Sequence, residues 1–150
     1  TVETDEEIVE HWDHIRNLQD ETGGFRAFIM WSFMPHHTKL EREGIVKHKA
    51  SPNRYLRLLA VSRLFLDNVK NIQSSWVTQG SYIGQMALQY GANDLGSTMM
   101  EENVVKAAGA VNRMNRQEMI RLIRDVGEIP AKRNTAYEIL EVYRSPDVRG

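Results

Sequence analysis

Residues 71–98 constrain the fold more than any other stretch of this chain. A short strand-like run over 72–78 leads into a helical run over 81–90, where Ile83, Met86, Ala87 and Tyr90 recur at steps of three and four. Gly91 stands where a helix-ending glycine sits, and a second strand-like run over 92–98 follows at once. Strand, helix and strand in so few residues make a βαβ unit, whose short joins favour parallel pairing. Both runs end in polar residues: Thr78 and Gln79 on the first, Ser97, Thr98, Glu101 and Glu102 on the second. In parallel α/β folds that edge of the sheet is where chemistry is placed.

Upstream, Thr4 or Asp5 can cap a helix that carries Glu6 and Glu7 against its positive end. Ile8, Trp12, Ile15 and Leu18 form its apolar stripe, and Gly23-Gly24 ends it. Residues 25–33, FRAFIMWSF, are mostly apolar on both faces and lie between Gly24 and Pro35, which predicts a buried parallel strand. Residues 34–50 show no period and read as a long loop leaving the C-terminal end of that strand. Ser51 and Pro52 start the next helix, with Tyr55, Leu58, Leu59, Ser62, Leu66 and Val69 on one face. Beyond Glu102, a short helix through Val104, Val105 and Ala108 is expected. Asn115 then caps a firmer one that buries Met119, Leu122, Ile123 and Val126 and closes at Gly127. Residues 128–131 read as a fourth strand, and Asn134 or Thr135 as the cap of a last turn, TAYEIL. From Arg144 onward the tail reads as frayed.

The order α-β-α-β-α-β-α-β-α predicts an α/β protein: a parallel sheet of about four βα units with helices outside. A closed eight-stranded barrel needs roughly 250 residues, so four units make a partial, half TIM-type barrel or a small open sheet. Such a sheet has raw edges, which a missing N-terminal half or a second copy of the chain can cover. The 150 residues, 41% of them hydrophobic, suit one domain over 1–150. A net charge of −1 without a basic arm argues against a nucleic-acid partner. No apolar run reaches the roughly 18 residues of a membrane span, and the acidic start is unlike a signal peptide, so a cytoplasmic setting is expected. There is no cysteine, which excludes disulfides and thiolate-held metal or iron–sulfur centres within this chain.

Three stretches together resemble one family: GGFRAFIMWSFMP (23–35), SSWVTQGSYIGQMALQYGANDLGSTMMEENVV (74–105) and IRLIRDVGEIPAKRNTAYEIL (120–140). They resemble the C-terminal half of the radical S-adenosylmethionine enzymes of the futalosine route to menaquinone, and most of all the dehypoxanthine futalosine cyclases. The aminofutalosine synthases and the synthases of the F420 deazaflavin share the Gly91-Ala92-Asn93-Asp94 and Glu101-Glu102-Asn103 patterns more loosely. The resemblance implies a 4Fe-4S cluster that cleaves S-adenosylmethionine to a 5′-deoxyadenosyl radical. That radical takes hydrogen from the ribose of dehypoxanthine futalosine, and the substrate radical closes onto its own aromatic ring. The family holds the cluster on a CxxxCxxC motif near the N-terminal end of the barrel. This chain lacks it, so the expectation is a substrate-binding C-terminal portion, inactive alone. Met34 and His36-His37 also depart from the Gln and the small or Asn residue that the family tends to carry before Thr38.

On that resemblance Glu101 and Glu102 are the catalytic candidates, able to bond ribose hydroxyls or to accept the proton lost on rearomatisation; acids in a first helical turn are the plainer account. Thr78 and Gln79, at the end of the second predicted strand, and Thr98 on the third are substrate-binding candidates. Asn93 and Asp94 join them, although Asp94 can equally cap or turn the chain. Trp31, Ser32 and Phe33 end the first predicted strand, where an aromatic can stack on a futalosine-type substrate or fill the core. No metal ligand is expected, because adjacent His36 and His37 diverge in most backbones and find no third ligand at convincing spacing. A self-associating (β/α)4 binding or scaffold module, forming an oligomer through its edges, is the alternative from another class; the equivalent half of a sister enzyme is a third.

Overall fold

The computed structural model describes residues 2–46, 48–98 and 114–144. Helix α1 runs over Asp5–Thr22, and Thr4 closes a capping box with Glu7: Thr4 Oγ1 accepts from the Glu7 amide at 3.2 Å, and Glu7 Oε2 accepts from the Thr4 amide at 2.8 Å. Gly23, at φ +58, ends it. Strand β1, Ala27–Ile29, pairs in parallel with β2, Asn71–Gln73, in the register Ala27–Asn71, Phe28–Ile72 and Ile29–Gln73. A single parallel bridge between Gln73 and Asp94 adds a third segment. In the expected βαβ region the parallel direction holds, but the strand read over 92–98 is reduced to this one bridge at Asp94. The chain between its two ends forms α4 (Trp76–Gln79), α5 (Ser81–Ala87) and a 3-10 turn over Leu88–Tyr90.

Helix α3, Pro52–Phe65, crosses from β1 to β2 with Ser51 as its cap. It ends at Phe65, so Leu66 and Val69 are buried from the turn beyond it. Tyr55, Leu56 and Leu59 of α3 pack on Ile72, Ala87 and Ala92, while Trp12 of α1 packs with Leu66 and Val69; Phe28 and Met30 join both clusters. Burying a residue such as Leu59 or Ile72 contributes about 1.5–3 kcal/mol, and both are fully enclosed. A further cluster sets Trp76 and Leu95 against Met114, Met119 and Leu122, the last two from α6, Arg116–Asp125, which Asn115 caps. Glycine is required at Gly84, where an added Cβ would lie 2.4 Å from Trp76 Cβ; α4 and α5 could not otherwise pack so closely.

Four sequence expectations are corrected. Residues 25–33 are buried on one face only: Phe28 and Met30 enter the core while Ile29, Trp31 and Phe33 stay exposed, because helices cover one side of the pair. Thr78 and Gln79 do not end a strand; pairing stops at Gln73, the Ser75 amide turns to the Tyr55 hydroxyl at 2.9 Å, and the chain coils into α4. The segment 34–50 is not all loop, since Thr38 caps a short helix α2, Lys39–Arg42. No fourth parallel strand forms over 128–131 among the described residues. Strand β3, Ala131–Arg133, instead pairs antiparallel with β4, Ile139–Val142, inside the segment expected to be a helical turn. The Asn134 side chain makes the reversal by accepting from the Ala136 and Glu138 amides at 2.9 and 3.0 Å, with Tyr137 at φ +65. The chain is thus a mixed helix and strand fold with small sheets, one of them parallel.

Candidate functional site

The parallel pair delivers β1 and β2 side by side, so the segments that leave their C-terminal ends meet. Ser32 leaves β1, and Ser74 and Ser75 leave β2 into α4. Ser32, Ser74, Ser75, Thr78 and Gln79 are all buried, an unusual concentration of polar side chains away from water. Their bonds are specific. Ser74 Oγ donates to the Gly84 carbonyl at 3.2 Å, and the Ser75 and Thr78 hydroxyls share a bond at 2.7 Å. Gln79 Nε2 donates to Ser32 Oγ at 2.8 Å, tying the two strand ends together across 47 residues of sequence.

That bond leaves something over. Gln79 is only 9% exposed, and its Oε1 finds no hydrogen-bond partner among the described residues. A buried acceptor without a donor costs about 1–3 kcal/mol. Ser32, having accepted from Gln79, still has a hydroxyl proton to give, and it lines a cavity of about 530 Å3 between α1, β1 and α3. Trp12, Met30, Trp31, Phe33 and Tyr55 also face this cavity. Burial raises the Tyr55 hydroxyl pKa above 10, keeping it neutral where it accepts from the Ser75 amide. Lys49 Nζ reaches the Thr78 carbonyl from the end of the segment over 43–50, and burial lowers its pKa.

The other sequence candidates fall elsewhere. Asp94, whose side chain is 10% exposed, receives Arg133 Nε and Nη2 on one carboxylate oxygen at 2.6 Å each. The Arg133 guanidinium also lies 3.8 Å from the centre of the Tyr137 ring, so Asp94 anchors the β3–β4 hairpin to the parallel sheet. Asn93 serves the opposite end of β2 from the Ser32–Gln79 bond. Its Oδ1 accepts from the Ile72 amide at 2.8 Å and from Arg63 at 3.1 Å, and its Nδ2 donates to the Lys70 carbonyl at 3.3 Å. Thr98 is exposed. Glu101 and Glu102 lie outside the described residues. His36 pairs with Glu41 at 3.3 Å, and the His37 amide donates to the same carboxylate at 2.9 Å.

Two of the three predicted strand tips are thus brought together, Trp31–Phe33 and Thr78–Gln79. Sequence reasoning passed over Lys49, Ser75 and Arg133. Tyr55 was visible as a core position but not as an acceptor, and nothing in the sequence marks Arg133 as the partner of Asp94.

Among the described residues no three His, Cys, Asp or Glu side chains gather as a metal site, and no helix is long and apolar enough to cross a membrane. Comparison with known proteins places the sequence in a family. The chain is 51% identical over 146 residues to a cyclic dehypoxanthine futalosine synthase of Streptomyces coelicolor, covering 97% of this chain and 36% of that one. A protein of the same name from Halalkalibacterium halodurans is 48% identical over 145 residues, or 97% and 38% of the two chains. A 5-amino-6-(D-ribitylamino)uracil–L-tyrosine 4-hydroxyphenyl transferase of Methanococcus maripaludis is 43% identical over 143 residues, 93% of this chain and 40% of its own. The chain therefore spans between 36% and 40% of the length of these relatives. The sequence profile described as the CofH/MqnC C-terminal region matches residues 22–145. This chain belongs to that CofH/MqnC C-terminal family.

Proposed function

We propose that the chain is the substrate-binding portion of a radical S-adenosylmethionine enzyme that cyclises dehypoxanthine futalosine in menaquinone synthesis. The β1–β2 pair with the Gln73–Asp94 bridge is part of a TIM-type barrel whose cluster-holding portion lies outside this chain. One observation carries the reading: the buried Gln79–Ser32 bond between two parallel strand ends leaves Gln79 Oε1 open, and Ser32 lines the cavity. That is where a parallel barrel binds substrate, and the relatives that share about half of these residues carry the synthase name.

A 4Fe-4S cluster does not fit the residues present, since the chain has no cysteine and its thiolate ligands must come from elsewhere in the enzyme. The group would supply the radical; this chain binds and orients. Ser32 donates to a substrate oxygen, Gln79 Oε1 accepts from a substrate hydroxyl or N–H, and Trp31 and Phe33 offer aromatic faces. Thr78 holds the Ser75 turn from which Gln79 projects. Glu101 and Glu102 are the carboxylates assigned to the ribose hydroxyls or to the proton lost on rearomatisation.

The test supplies this chain in trans with the cysteine-bearing N-terminal portion of the Streptomyces coelicolor relative, reconstituted anaerobically. With S-adenosylmethionine and dehypoxanthine futalosine, cyclised product is expected by mass spectrometry from the pair and from neither alone. Product from this chain alone, or none from a folded pair, overturns the reading. The identity to the Methanococcus transferase motivates one competing substrate class, and the same pair given L-tyrosine and the ribityl aminouracil separates them.

A further inference from the structure

The third parallel segment is held to β2 by little backbone pairing. The Asn93 amide donates to the Ile72 carbonyl at 3.0 Å and the Ser74 amide to the Asp94 carbonyl at 2.8 Å, and pairing among the described residues ends there. Side chains set the turn that follows. Leu95 packs with Trp76, Met119 and Leu122 on the helical side, so its neighbour Asp94 points to the other face of the sheet. The two carboxylate oxygens of Asp94 have separate tasks. Oδ1 accepts from the Gly96 amide at 2.5 Å, while Oδ2 takes Nε and Nη2 of Arg133. Gly96 sits at φ +79, and a Cβ there would lie 2.6 Å from Gln73 Nε2. The turn therefore depends on a carboxylate before it and on the lack of a side chain within it.

Arg133 comes from a hairpin that is fixed at more than one point. The Arg26 guanidinium, just before β1, donates to the Ala136 carbonyl at 3.3 Å, so the hairpin straps the start of β1 to the third segment. Arg133 Nη1 donates to the Asn134 carbonyl at 3.0 Å, and the guanidinium lies 3.8 Å from the centre of the Tyr137 ring. Tyr137 itself holds φ +65, a conformation that a bulky residue keeps only where its surroundings impose it. Two converging donors fix the rotation of the Asp94 carboxylate and leave Oδ1 aimed at Gly96. An anchor for the hairpin needs Oδ2 alone; the bond from the Gly96 amide to Oδ1 is what extends the pair to the turn.

We infer that Arg133 is a positioning residue: through Asp94 it fixes the turn at Gly96, and so the direction in which Ser97 and Thr98 leave the third parallel segment. The inference rests on the reading of the strand C-terminal ends as the substrate site. It adds a residue that acts on that end from 39 positions away in sequence.

The experiment compares Arg133→Lys, Gly96→Ala and Gly127→Ala with the wild type. Amide hydrogen exchange is followed on this chain, and turnover in the reconstituted pair. Gly127→Ala destabilises without touching the turn and gives the effect of lost stability alone. In Arg133→Lys the Gly96 amide is expected to exchange at least about tenfold faster, while the Leu59 amide changes no more than in Gly127→Ala. Its kcat should fall at least about tenfold with KM within about twofold, because Ser32 and Gln79 are untouched. Gly96→Ala disturbs the turn and leaves the hairpin alone, so it should lower kcat likewise; it decides the matter if Arg133→Lys does not fold. Unchanged Gly96 exchange in Arg133→Lys, or a kcat loss no larger than that of Gly127→Ala, overturns the positioning role and leaves the substrate-site reading intact. No product from the wild-type pair overturns that reading, and the positioning role falls with it.

Discussion

Two guanidinium nitrogens of Arg133 converge on one carboxylate oxygen of Asp94, each at 2.6 Å, and this pair joins the antiparallel hairpin to the parallel sheet. Both partners are largely enclosed, so removing one strands the other. Arg133→Met is expected to lower stability by about 2–3 kcal/mol, below the 3–5 of a fully buried pair because Arg133 keeps some contact with water. Arg133→Lys should recover only a small part, since lysine lacks the fork and stacks less well on Tyr137. Urea unfolding of the two variants measures both, and a loss under 1 kcal/mol for the methionine variant contradicts the anchoring role.

Gln79 separates stability from function. Gln79→Leu removes a buried acceptor that has no donor among the described residues, while also taking the partner from Ser32. These effects oppose, so the unfolding free energy is expected to move by less than about 1 kcal/mol. Turnover of the reconstituted enzyme is expected to fall at least about tenfold, the loss of one bond worth 1.4 kcal/mol or more in the transition state. A large loss of stability would mark Gln79 as a structural residue instead.

The contact of α4 with α5 leaves no space at Gly84. Gly84→Ala puts a methyl 2.4 Å from Trp76 Cβ and 3.2 Å from its Cα, where backbone must shift. We expect a loss of about 3 kcal/mol, seen as a lower thermal midpoint. Gly127→Ala meets no atom within 4 Å and pays only for its φ of +83, so it should cost about 1–2 kcal/mol.

Tyr55 makes stability depend on pH at the alkaline end. Burial raises its pKa in the fold, so between the unfolded value near 10 and the folded value the native state keeps a proton that the unfolded chain has released. Stability therefore falls as pH rises through that window and is fully present below it. Tyr55→Phe should abolish this component while costing about 1–2 kcal/mol at neutral pH, because the buried Ser75 amide loses its acceptor. Denaturant midpoints at pH 8 and above pH 10 for both proteins check the sign.

Helix boundaries were the most legible part of the sequence, because they are set locally. Thr4, Ser51 and Asn115 each cap the helix their position foretold, and Gly23 and Gly91 take the left-handed geometry expected of them. What sequence reading missed depends on distant partners. Residues 76–79 look like a strand by composition, yet the Tyr55 hydroxyl claims the Ser75 amide and turns the chain into α4. TAYEIL looks like a capped turn of helix, yet the Asn134 side chain and the +65 φ of Tyr137 fold it into a hairpin that Asp94 holds through Arg133. The same limit applies to the site. Ser32 and Gln79 were visible as polar residues near strand ends, whereas Lys49 gains meaning only from the Thr78 carbonyl, which lies 29 positions away.

The three indoles of this chain are sharply unequal. Trp12 and Trp76 are each 1% exposed, whereas Trp31, at 53%, stands at the cavity beside Ser32. The red edge of the emission spectrum therefore belongs to Trp31 alone, and acrylamide quenching of that component gives a label-free optical gauge of whether the cavity is filled.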